Sequence, residues 1–144
     1  STAENSIIPT SGLIGSLDIS PTVSNGFTLK LENNGIMTLG AATTCTLRFK
    51  LNGNTILTTV IPAPGATVFN QTFNIRNSVN IKGTNTYVNC VVIRDGVVPI
   101  TNATVGFGSW LSGSTNTISY TAQFSDTVGV INGYTFDMFS SQTS

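Results

Sequence analysis

Any chemistry in this chain has to be built from few reactive groups. There is no histidine, and the six carboxylates are Glu4, Asp18, Glu32, Asp95, Asp126 and Asp137. The side chain most used as a general base near neutral pH, and as a metal ligand, is therefore missing. A serine, threonine or cysteine nucleophile would need Lys30, Lys50 or Lys82 as its activating base. None of these lysines stands beside a nucleophile elbow, and Gly106-Phe107-Gly108-Ser109 does not match that pattern. Glycoside cleavage needs two carboxylates flanking a sugar. Here Asp95 falls in a tight turn, Glu4 in a terminal tail, and Glu32 at the solvent face of a strand end. Solvation and turn capping are their expected roles. Asp126 with Asn132 comes nearest to a calcium loop but lacks the alternating acidic spacing. Two thiols without histidine do not make a zinc site. The sequence predicts a non-enzymatic protein with no catalytic residue, no cofactor and no metal.

One side chain stands out for binding. Trp110 lies within Gly108-Ser109-Trp110-Leu111-Ser112, where an indole among small residues offers an apolar face to a glycan or a neighbouring subunit. The same residue type is also a common buried anchor. Asn70-Gln71-Thr72 and Asn102-Ala103-Thr104 match the N-glycosylation pattern, as chance alone produces in so Asn- and Thr-rich a chain.

The elements that must position these groups are strands. Period-two alternation recurs from end to end, with no helical stripe. Ser16–Ile19 reads as a short strand. Phe27–Glu32 alternates with Phe27, Leu29 and Leu31 inward, and Asn33-Asn34-Gly35 reads as a turn before Ile36–Leu39. Thr43–Leu51 turns at Asn52-Gly53-Asn54 into Thr55–Ile61, and Pro62-Ala63-Pro64-Gly65 is a loop. Val68 to Ile81 places Phe69, Phe73 and Ile75 on one face. Lys82–Asn85 leads into Tyr87–Arg94, Asp95-Gly96 turns again, and Pro99 bends the next strand or confines it to an edge. Thr117–Phe124 points Ile118, Tyr120, Ala122 and Phe124 inward. Asn132-Gly133 precedes a last strand, Tyr134–Phe139. Leu47, Phe49, Tyr120, Phe124 and Phe136 are the expected core.

This rhythm predicts one domain over 1–144: an antiparallel two-sheet sandwich of jelly-roll type with about eight or more strands. Residues 1–14 form a loose arm, and 140–144 fray. An immunoglobulin-like sandwich ranks second, because Trp110 falls outside the Cys45–Cys90 pair. The two cysteines point inward, as buried free thiols or as one disulfide.

Composition sets the class of partner. Only 8% of residues are charged, and the net charge is zero; soluble domains average about 25% charged. With no net charge to keep copies apart, self-association is expected. The absence of a basic cluster argues against nucleic acid, and the lack of a long apolar run argues against membrane insertion. Ser1-Thr2-Ala3-Glu4-Asn5 has neither a basic nor an apolar leader region, so no signal peptide is expected; the chain reads as a mature product or a domain of something longer.

Two stretches carry a resemblance. Gly26–Leu31, Gly35–Leu39 and Thr46–Ile56, together with Asn116–Ile118, Thr121–Asp126 and a Phe-rich closing strand, resemble a β-sandwich module of virion surface proteins. That group comprises tail- and head-fibre proteins of bacteriophages and capsid-associated domains of large DNA viruses. The resemblance implies a structural domain displayed on the virion surface, often trimeric, beside other virion proteins and in contact with host glycans. It implies no catalytic residue. A lectin-like, carbohydrate-binding module of a cellular adhesin or secreted protein is the alternative.

Overall fold

Alternating side chains leave each sheet one apolar face to bury, and in a sequence without a helical stripe another sheet is what covers it. The computed structural model describes residues 2–6, 16–19, 27–82, 85–107 and 116–142. Ten strands form among them: β1 (Asn5–Ser6), β2 (Ser16–Ile19), β3 (Phe27–Leu39), β4 (Cys45–Leu51), β5 (Asn54–Ile61), β6 (Val68–Lys82), β7 (Asn85–Arg94), β8 (Ile100–Phe107), β9 (Asn116–Phe124) and β10 (Val130–Gln142). They pair antiparallel in two sheets. The first, sheet A, has the order β1-β9-β4-β5, with β2 also on β9; the second, sheet B, has the order β10-β3-β6-β7-β8. In sheet B the strands β3, β6, β7 and β8 lie side by side in chain order, the chain crossing to sheet A for β4 and β5 in between, and β10 returns to lie beside β3. The all-β antiparallel two-sheet sandwich expected from the alternation is the fold.

The core is the inward row of each strand. Sheet A contributes Cys45, Leu47, Phe49 and Leu51 from β4 and Ile118, Tyr120, Ala122 and Phe124 from β9, all buried. Sheet B answers with Leu29 and Leu31 from β3, Ile75 and Val79 from β6, and Val88 and Val92 from β7. Phe136 pairs opposite Asn33 in β10, but its side chain lies outside the described residues. At one lateral edge Asn102 Nδ2 donates to the Thr58 carbonyl at 2.7 Å, tying β8 to β5 across the sheets. That bond gives two edge strands a partner in place of an intruding chain.

Four local readings are corrected. Asn33-Asn34-Gly35 does not turn: β3 runs through it in continuous register with β6, Asn33 opposite Ile75 and Asn34 opposite Asn74. The Asn74 amide donates to Asn34 Oδ1 at 2.6 Å, so the side chain that would have closed a turn braces a ladder instead. Asn132-Gly133 likewise lies inside β10, where the register shifts between Asn132 and Thr135. Phe69 is not on the core face. Asn70 takes a left-handed backbone at φ 49°, a bulge shifts the register opposite Met37 and Leu39, and Phe69 is turned out to 73% exposure. Finally, the ends are not loose where described. Ser140, Ser141 and Gln142 pair with Leu29, Thr28 and Phe27, and Asn5 and Ser6 pair with Ala122 and Thr121. Glu4 also joins Arg48 at 2.7 Å and Lys50 on the outer face of β4, and the Lys50 contact holds its carboxyl below the ordinary value.

Where the turn chemistry agrees with the sheet, it holds. Asn52 and Gly53 both take positive φ, 52° and 81°, as a tight hairpin between β4 and β5 requires. Pro99 stands just before β8, an edge strand, where a missing N–H costs little.

Candidate functional site

The groups singled out for chemistry are dispersed where the structure describes them. The Asn132 side chain lies outside the described residues, and Asp126 is already engaged. Its carboxylate accepts the Thr43 hydroxyl at 2.8 Å and the Val128 N–H at 2.9 Å. These bonds, the Thr43 one foremost, hold its carboxyl below the usual range. Asp95 sits exposed between β7 and β8, with its N–H on the Thr72 carbonyl at 3.1 Å. Glu32 accepts the Asn74 amide at 2.8 Å on the outer face of sheet B. Among the described residues no group of three or more acidic or cysteine side chains gathers around a common point. Trp110 lies outside the described residues.

Both cysteines are free and buried, on opposite sheets. Burial pushes the Cys45 thiol up to about 12 and raises Cys90 as well. Cys90 Sγ stands 3.4 Å from the Tyr120 hydroxyl, whose own pKa burial drives well upward. The Asn77 amide approaches the same hydroxyl, yet neither of its polar atoms reaches hydrogen-bonding geometry with a protein partner. This is a polar seam in the core that no solvent-borne substrate reaches. Thiolates do the nucleophilic work of cysteine, so a thiol-disulfide reagent is expected to label neither residue in the native state at pH 8 and both after denaturation. Rapid native labelling would contradict the burial.

The sequons separate on structural grounds. Asn70 is exposed on the bulge, whereas the Asn102 amide is engaged with Thr58.

A coherent surface emerges at one end of the sandwich. The connections β3–β4, β5–β6 and β9–β10 gather there, because Leu39 pairs with Val68, Cys45 with both Ile61 and Phe124, and Thr38 with Val130. The β7–β8 connection turns on the same side several residues short of them, where Arg94 pairs with Phe73 and the Asp95 N–H meets the Thr72 carbonyl. The large exposed apolar side chains follow them: Phe69, Val97, Val98 at 82% exposure, Val128 and Val130, with Val60 and Ile36 close behind on the two outer faces. Around these residues the charged groups are Asp95, the engaged Asp126 and buried Arg94. The connections are also pinned to each other: Gly65 N–H donates to the Ala41 carbonyl, and Ser125 N–H to the Thr44 carbonyl, each at 3.0 Å. Sequence reasoning missed this end because its apolar residues come from two loops and the first residues of two strands, far apart in the chain, and because Phe69 reads as core until the bulge is seen.

No family model matches this sequence, and no curated protein matches it. Among solved structures, the alginate lyase from Klebsiella pneumoniae is similar at a TM-score of 0.34 and 11% identity, over 82% of this chain. The chain spans 60% of that lyase's length. A likeness of that degree carries no functional argument.

Proposed function

We propose that this chain is a non-enzymatic structural module of a virion surface, assembling with copies of itself and with other virion proteins and serving host attachment. The observation that carries the reading is the apolar end. An exposed apolar patch of several hundred Å² generally marks an interface, and Phe69, Val97, Val98, Val128 and Val130 bring such side chains to strand ends and to loops held by backbone hydrogen bonds. A surface already held in shape loses little freedom on association. The virion setting rests on the strand motifs that resemble fibre and capsid-associated modules. Threefold assembly would bury the patch through a closed head-to-tail interface.

Sedimentation equilibrium at micromolar concentration tests the assembly. The wild-type chain is expected to sediment as a trimer, well above the 15.1 kDa of one chain. The double variant Phe69→Ser, Val98→Ser is expected to sediment as a folded monomer with an unchanged far-ultraviolet spectrum. A wild-type monomer overturns the proposal, and so does a double variant that still forms trimers.

A further inference from the structure

The outer face of sheet B carries a groove of about 650 Å³ across β3, β6 and β7, away from the apolar end. Its shape follows from the register. Glu32, Arg76 and Val91 stand opposite one another in one row, and Lys30, Ser78 and Asn89 in the next. Short Ser78 lies between the long Lys30 and Arg76 chains, so the face sinks there. Glu32 is fixed by the Asn74 amide at 2.8 Å and faces Arg76 Nε at 4.0 Å.

Charge is scarce in this chain, and its placement is informative. Arg48 and Lys50 are joined to Glu4, Arg94 is buried, and the Lys82 side chain lies outside the described residues. Lys30 is exposed, and Arg76 is 61% exposed. Both border this groove, whose lining is otherwise mostly carbon.

We infer that this groove binds an acidic oligosaccharide. Arg76 offers a planar fork and Lys30 a point charge to a carboxylate or sulfate. Glu32, Ser78 and Asn89 present acceptors and donors for sugar hydroxyls. Val91 and the aliphatic stems of the two cations face the C–H side of a sugar ring. An extended peptide is a poorer fit, because peptides add to sheet edges and the backbone here is already paired on both sides. A nucleic acid would need many more cations along its track. The inference stands apart from the assembly proposal, since it uses none of the same residues.

Titration of the full chain with a uronate tetrasaccharide, a sulfated tetrasaccharide and a neutral one, by NMR chemical-shift mapping, tests it. Saturable binding of either acidic probe is expected, with the neutral one at least about tenfold weaker, the discrimination of one charge-assisted contact. Arg76→Gln and Lys30→Gln are each expected to weaken the acidic probe by about tenfold. Both side chains are exposed, so the thermal midpoint should not move. Phe69→Ser is expected to leave sugar binding intact, whatever it does to assembly. Equal binding of neutral and acidic probes would overturn the inference. So would unchanged affinity in both groove variants, an equal loss in Lys82→Gln, or no saturation at concentrations on the order of 10 mM.

Discussion

Phe49→Ala is expected to destabilise the chain by about 3–5 kcal/mol, the range for truncating a buried aromatic side chain. Phe49 is 0% exposed at the middle of β4. Its strand is interior to sheet A, with Tyr120 of β9 opposite on one side and Leu57 of β5 on the other. The Phe49 and Tyr120 rings meet at 6.3 Å between centroids and 51° between planes. A tilted pair of this kind adds about 0.5–1.5 kcal/mol beyond the area it buries. β9 is held by its own pairing with β1 and β2, and β5 is tied to β8 through Asn102, so the sandwich does not close over the void, and cavity and transfer costs both remain. Urea denaturation should show a lower midpoint at unchanged slope. Thr46→Ala, on the opposite face of the same strand, should stay within about 0.5 kcal/mol of wild type. A loss below about 1 kcal/mol for Phe49→Ala would mean that the face assigned to the core is the wrong one.

That face was legible in the sequence because parity is a local property. In β4 and β9 each inward residue follows from its neighbour two positions away, and no distant contact alters the count. Turns were less legible. Asn52-Gly53 and Asn33-Asn34-Gly35 carry the same chemistry, yet only the first turns; the second is overridden by continuous pairing with β6, decided some forty residues downstream. Phe69 shows the same limit on a smaller scale, since one left-handed residue at Asn70 reverses the parity of everything before it. The candidate surfaces were least legible of all. Lys30, Arg76 and Asn89 become neighbours only through the register of three strands, and the apolar end only through the convergence of loops and strand ends far apart in the chain. Scarcity of charge could be read from composition, but where the remaining charges meet could not.

Gly129→Ala tests whether the apolar end is as rigid as its hydrogen bonds imply. Gly129 is buried in the β9–β10 connection. A methyl group added there would lie 2.2 Å from Cδ1 and 2.4 Å from Cγ of Phe124, far inside contact distance. Something must move, and each choice is costly. The Phe124 ring is only 8% exposed, and its strand is fixed opposite Cys45, so the ring must leave its rotamer inside a packed layer. The loop can retreat only by loosening the bonds that Asp126 accepts from Thr43 and from Val128, at 2.8 and 2.9 Å. Overpacking of this kind costs about 1–3 kcal/mol, whereas Thr127→Ala, exposed two positions earlier, should stay within about 0.5 kcal/mol of wild type. The same loop carries Val128 and Val130, so Gly129→Ala should also lower the fraction assembled at a given concentration, while Thr127→Ala leaves it unchanged. Stability equal to wild type would show that Phe124 has room to yield. The end would then be loosely packed, and the low ordering cost assumed for its assembly would no longer hold.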